Sequence, residues 1–216
     1  MTKKILQSLV LFFFATCPLL SFEGYDLKQL PEPYNHVRLM PYNPHGWYIN
    51  AAGIEKLAKQ IKPKVIIEIG SWMGLSTTHF ASLVGSGGKV YAVDTWCGSP
   101  NEGHDPQILA SLYDQFLSNM IHKNLTNIVV PIRMDSLEAA KINDVYPDLI
   151  YLDATHRYEE VMNDLNAWFP FVKGHGVMCG DDWAWGDRGV ERAVTEFAVN
   201  NGLKIHTNGW FWYLEE

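Results

Sequence analysis

The sequence is short of what marks a nucleic-acid binder, a disulfide scaffold or a multi-domain chain. Basic residues are outnumbered, 17 Lys and Arg against 24 Asp and Glu for a net charge of −7, and no basic run follows Lys3 and Lys4. A phosphate backbone would find no electrostatic footprint here, so nucleic acid is excluded as a partner. There are three cysteines, and Cys17 lies in a leader-like segment. Cys97 and Cys179 would end non-adjacent strands, so both are expected as free thiols, which sits poorly with an oxidising compartment. No repeat, low-complexity tract or Pro- or Ser-rich linker divides the chain. Neither GxGxxG nor GxxxxGK followed by Ser or Thr occurs, so a dinucleotide and a nucleoside triphosphate are not first choices.

The leader is distinct in composition. Lys3 and Lys4 precede an apolar run over residues 5–14, and Pro18 and Ser21 follow. That pattern predicts a signal peptide over residues 1–21, cut near Ser21, or a retained N-terminal anchor. The run falls short of the ~20 residues of a comfortable span. A helix lying on a membrane or on the domain is a third reading, and Cys17 only loosely fits a lipoprotein box. Export or membrane tethering is therefore expected, with membrane contact through this segment alone. Residues 22–45, holding four prolines from Pro31 to Pro44, read as an irregular lead-in, and residues 46–216 as one domain.

Within that domain, strand and helix patterns alternate. Helices are predicted over 51–61, 75–84, 106–122, 136–142 and 189–200, and strands over 64–69, 89–93, 128–131, 148–152 and 176–180. The helix after the fourth strand carries Val161, Leu165 and Trp168 as one apolar stripe. Residues 203–206 and 210–214 read as a hairpin around Asn208 and Gly209. The alternation implies an α/β fold: a doubly wound, mostly parallel sheet with helices on both faces and a C-terminal antiparallel hairpin.

Chemistry concentrates at strand ends. Glu68, Gly70 and Gly74 form ExGxxxG after the first strand, continued by Ser76 and Thr77, where glycines would let backbone amides approach a ligand at a helix N-terminus. Asp94 ends the second strand, where an acid suits the two hydroxyls of a ribose. Together these indicate a nucleoside-bearing cofactor. Asp153 ends the fourth strand, and Asp181 and Asp182 end the fifth. If those strands are parallel neighbours, three carboxylates converge at one sheet edge and suit a hard divalent cation such as Mg²⁺. Helix capping is the alternative role for such acids.

The set Glu68, Gly70, Ser71, Gly74 and Asp94 resembles the first two motifs of class I S-adenosylmethionine-dependent methyltransferases. The runs 153–159, 180–183 and 189–197 are similar to bacterial small-molecule O-methyltransferases, and the likeness covers residues 46–216, with the seven-stranded Rossmann-like sheet of that superfamily. It implies that Glu68 and the turn with Gly70, Ser71 and Gly74 hold the methionine part of S-adenosylmethionine, that Asp94 binds its ribose and Trp96 covers its adenine, and that Asp135 and Ser136 meet the adenine edge. Core packing for Trp96 and helix capping for Asp135 stay open beside these roles.

Metal-dependent members place acids where Asp153, Asp181 and Asp182 stand, which implies Mg²⁺ or another divalent cation. His156 stands where catechol-type relatives carry lysine, and the resemblance implies a general base there, a cap or surface residue being the alternative. Trp47, Tyr48, Trp183 and Trp185 are expected around the acceptor, with His104 facing it and His79 and His175 structural. The expected activity is methyl transfer to a hydroxyl of a small sugar- or phenol-type acceptor, with a homo-oligomer left open. A non-catalytic nucleoside-binding module of the same fold and a metal-free methyltransferase are the competing readings.

Overall fold

A computed structural model describes residues 26–99 and 103–216. The predicted leader and Cys17 lie outside the described residues, and no described helix is long and apolar enough to cross a membrane. The elements are α1 (Ala51–Ile61), β1 (Val65–Ile69), α2 (Leu75–Leu83), β2 (Lys89–Asp94), α3 (Pro106–Leu109), α4 (Leu112–His122), β3 (Val129–Arg133), α5 (Ser136–Ile142), β4 (Leu149–Leu152), α6 (Tyr158–Trp168), β5 (Val177–Gly180), α7 (Gly189–Asn201), β6 (Lys204–Asn208) and β7 (Phe211–Glu215).

The seven strands form one sheet in the order β3-β2-β1-β4-β5-β7-β6. β1 to β5 are parallel, and β7 runs antiparallel between β5 and β6. The chain begins mid-sheet, moves outward through β2 and β3, then returns to lay β4 on the other side of β1. That reversal opens a crevice at the carboxyl ends of β1 and β4, where open α/β sheets bind ligands.

β4 is buried along its whole length, as a central parallel strand must be. Its residues alternate between two cores: Leu149 and Tyr151 join α1, α2 and α4, whereas Ile150 and Leu152 join α5, α6 and α7. The stripe Val161, Leu165, Trp168 faces the second core as the periodicity predicts. Both Cys97 and Cys179 are free thiols.

Two predicted boundaries move. The single helix over 106–122 is two, α3 and α4, separated at Ala110 and Ser111. The Ser111 hydroxyl lies 3.4 Å from the carbonyls of Gln107 and Ile108, a local alternative to helical continuation. In the hairpin Asn208 pairs with Phe211, so the two-residue loop is Gly209 and Trp210 rather than Asn208 and Gly209. Gly209 takes the left-handed φ of +64° that this loop requires.

The lead-in is irregular, as its prolines predict, yet it is tied down. Tyr34 donates to the Val129 carbonyl (2.9 Å), Met40 N–H to Ser118 Oγ (2.9 Å), and Asn43 N–H to Asn119 Oδ1 (2.9 Å). It thus runs along α4 and delivers Trp47, Tyr48 and Asn50 to the crevice.

Gly70, the first residue past β1, has φ +91°, and a Cβ there would stand 2.1 Å from the Asp153 carbonyl oxygen past β4. Gly87 has a similar φ of +77° with nothing within 4 Å. Gly70→Ala is therefore expected to destabilise by about 3 kcal/mol, strain plus overlap, and Gly87→Ala by about 1 kcal/mol from backbone strain alone. Urea denaturation of both variants checks this, and equal losses would contradict it.

Candidate active site

The glycine turn is held between two acids. Glu68 is 0% exposed on β1, and its carboxylate accepts the Ser71 hydroxyl (2.8 Å) and those of Ser76 and Thr77. Burial pushes its pKa up to about 7, against the pull of those three hydroxyls. Asp94 gathers the other side: Oδ2 accepts the amides of Ser71 (3.0 Å) and Trp72 (2.9 Å), and Oδ1 that of Trp96 (2.6 Å). Burial holds this carboxyl above its usual range, and the amide bonds oppose it. Both acids shape the turn itself.

Two non-glycine residues are forced into left-handed backbone here, Trp72 at φ +48° and Trp96 at φ +50°. Trp96 is 1% exposed, packs on Tyr113 and Phe116 at 4.7 Å, and donates through its indole to the Trp72 carbonyl (2.7 Å). It is a core residue, with no face open for an adenine ring. The Trp72 indole N–H is buried without a hydrogen-bond partner, an unmet donor beside the turn. Gly74 (φ +84°) starts α2.

Past β4 and β5, Asp153, His156 and Asp182 each bring a ligand atom within 4.8 Å of the others. His156 Nε2 lies 2.8 Å from Asp182 Oδ2, and the Trp185 ring packs on the imidazole at 4.6 Å. Gly189, opening α7, fixes the backbone beneath: a Cβ there would be 2.2 Å from the His156 carbonyl. Asp182 sits at φ +60°, again left-handed.

Asp181 does not share that point. It is 5% exposed, and its carboxylate accepts the Asp182 amide (2.6 Å) and the Tyr151 hydroxyl (3.4 Å), while its carbonyl accepts the Trp212 indole (2.8 Å). Burial raises its pKa. The ligand atoms that converge come from Asp153, His156 and Asp182, while the Asp181 carboxylate is turned to its own partners. His156 stands in the place expected for Asp181.

Asp135 caps α5, accepting the amides of Leu137 (2.9 Å) and Glu138 (3.3 Å). Ser136 donates to Asp164, a buried α6 carboxyl that burial raises to about 6. Asp164, with Asp153, Thr155, Asp181 and Asp182, borders a cavity of about 10 Å³, room for one water. Thr155 Oγ1 is buried there without a partner. His104 lies against Trp72 at 4.8 Å, and His79 Nδ1 meets the Tyr48 hydroxyl at 2.7 Å. Trp47, 71% exposed, leans toward Trp72 at 6.4 Å, and His175 is exposed among the turns before β5.

Sequence reasoning missed the polar groups beneath this surface, namely Asn50, Asn119, Tyr151 and Asp164. Asn119 carried a readable signal: an amide embedded in the apolar face of a helix.

A family described as "Methyltransferase domain" matches residues 67–183. The chain belongs to this methyltransferase family. No curated protein matches it. Among solved structures it is similar to an O-methyltransferase from Bacillus cereus in complex with SAH, at 19% identity, over 81% of this chain and 84% of that one, TM-score 0.57. It is also similar to the O-methyltransferase TomG from Streptomyces achromogenes, involved in tomaymycin synthesis and bound to SAM, at 14% identity over 79% and 80%, TM-score 0.58. A third likeness is to cofactor-bound Rv0187 from MTB, at 18% identity over 88% and 84%, TM-score 0.60. At such identities the likenesses establish the Rossmann-like methyltransferase fold.

Glu68 gives this site a pH signature. Its pKa is higher folded than unfolded, so its contribution to stability is complete below the ordinary value of 4.5 and is lost as pH rises through about 7. Glu68→Gln is expected to remove a share of the order of 3 kcal/mol of that decline. Denaturant titrations across the window check it, and an unchanged pH slope would contradict it.

Proposed function

We propose that the chain transfers the methyl group of S-adenosylmethionine to a hydroxyl of a small sugar- or phenol-type acceptor. One observation carries this reading: in a chain of the methyltransferase family, Asp153, His156 and Asp182 converge past β4 and β5, and Gly70 of the cofactor turn lies against the Asp153 backbone. The orphaned Trp72 indole N–H and the turn beside it fit a polar, nucleoside-bearing ligand. The bound cofactors named for the Bacillus cereus and Streptomyces structures support the same choice.

The roles follow from geometry and acid–base chemistry. His156 takes the acceptor's hydroxyl proton. Asp182, 2.8 Å from its Nε2, orients the ring and stabilises the imidazolium that forms. Trp185, tilted against the imidazole at 4.6 Å, restricts its rotation. The sulfonium supplies an activated methyl group, so the protein's share is to position an oxyanion in line with it. Asp94 and Glu68 keep the turn in the shape that receives the cofactor. Asp181 acts through its neighbour, fixing the Asp182 backbone.

Two carboxylates and one imidazole within 4.8 Å also fit a divalent cation, Mg²⁺ or a more nitrogen-tolerant ion such as Mn²⁺. Asp153 and Asp182 would hold it, and when bound it would lower the pKa of the acceptor hydroxyl and fix that oxygen. The 2.8 Å His156–Asp182 pair favours a second reading, metal-free catalysis, because a histidine with an orienting carboxylate is already a general base.

The test is methyl transfer from labelled S-adenosylmethionine to a panel of sugars and phenols, with and without chelator. His156→Ala is expected to lower kcat about 100-fold or more with cofactor affinity little changed, and Asp153→Asn to do the same where the cation assists. Loss in chelator selects the metal-assisted reading, and full activity there the metal-free one. Tight cofactor binding with no acceptor methylated would leave the non-catalytic module.

A further inference from the structure

The lead-in is bound at two places that belong to different halves of the crevice. Asn119 on α4 is 0% exposed, and its carboxamide is fully used. Oδ1 accepts the Asn43 amide (2.9 Å) and the Gln115 side chain (3.0 Å). Nδ2 donates to the Asn43 carbonyl (2.8 Å) and to the carbonyl of Met73 (2.7 Å), inside the glycine turn. One side chain therefore grips the lead-in by both backbone groups of a single residue and grips the turn at the same time.

Seven residues on, the lead-in reaches the acid side. Asn50 donates to the Tyr151 hydroxyl (3.5 Å), Tyr151 to Asp181 (3.4 Å), and Asp181 accepts the Asp182 amide (2.6 Å). Between these ends lie His45, Trp47 and Tyr48. Trp47 leans on Trp72 of the turn, and Tyr48 packs at 6.3 Å from Tyr151. Other ties along the segment, Met40 to Ser118 on α4, Tyr34 to Val129 on β3 and Tyr48 to His79 on α2, do not reach the turn.

We propose that Asn119 is a positioning residue that locks the lead-in onto the glycine turn, so that occupancy of the turn by the cofactor orders the wall carrying Trp47 and Tyr48 on the acceptor side. The proposal rests on the function proposed above. A fully satisfied buried amide holds one geometry, because losing its partners leaves the buried Asn119 carboxamide and the carbonyl of buried Met73 unmet. Restricting motion of the turn would then restrict motion of the lead-in, so the cofactor would stiffen the wall that the acceptor meets.

Hydrogen exchange of the full chain, with and without S-adenosylhomocysteine, tests this. Without ligand, Asn119→Ala is expected to speed exchange in both 41–49 and 71–76, whereas Ser118→Ala speeds it only near Met40. With ligand, the unmodified chain and Ser118→Ala are expected to show slower exchange in both segments. Asn119→Ala is expected to show slowing in 71–76 alone, with affinity weakened about tenfold, the scale of one buried hydrogen bond. Slowing confined to 71–76 in the unmodified chain would overturn the proposal, as would equal slowing of 41–49 in Asn119→Ala. Failure of the ligand to bind any form would instead sink the cofactor reading, while the ligand-free arm still decides whether Asn119 joins the two segments.

Discussion

The structure depends on one close backbone approach: Gly70 at the end of β1 against the carbonyl of Asp153 at the end of β4. Because β1 and β4 are parallel neighbours with Ile69 beside Leu152, the two loops leave the sheet side by side and must pass without a side chain between them. That contact sets the glycine turn and the acid cluster next to each other at the switch point of the sheet. Glycine is needed here for protein packing as much as for any ligand, a role that the motif alone did not reveal.

Around this contact the chain keeps an unusual concentration of buried acid. Glu68, Asp94, Asp164 and Asp181 all have pKa values pushed up by burial, and each accepts hydrogen bonds from hydroxyls, backbone amides or a phenol. These groups define loop shape through hydrogen bonds in a low-dielectric setting, where each unmet bond is costly. Strained left-handed backbone at Trp72, Trp96 and Asp182 occurs at three of the same strand ends. Strain of this kind persists where surroundings over-determine a conformation, as they do at sites of binding and catalysis.

Much of this was legible beforehand, because it rests on periodicity. Buried β-branched runs, amphipathic stripes such as Val161, Leu165, Trp168, and glycines between strand and helix are local signals, and they located the sheet, its helices and the acids at strand ends. What depended on orientation was not legible. Adjacent Asp181 and Asp182 looked equivalent, but past the end of β5, where Asp182 takes a left-handed φ, one meets Tyr151 and the other His156. Trp96 read equally as a ring for stacking or as core, and only the fold showed it packed in the core, at φ +50°. The anchoring of the lead-in on α4 is a long-range contact, between residues more than 70 apart, that no local pattern encodes. Pairing across that distance is decided by surface fit and hydrogen-bond satisfaction.

The central claim is that cofactor turn and acid cluster form one reaction space. Its most direct test is nuclear magnetic relaxation of the sulfonium methyl protons of bound S-adenosylmethionine when Mn²⁺ is added as a paramagnetic probe. The account predicts strong broadening of that methyl resonance in the unmodified chain and its loss when Asp153 and Asp182 are both changed to Asn. A methyl resonance that stays sharp while cofactor and Mn²⁺ are both bound would contradict it.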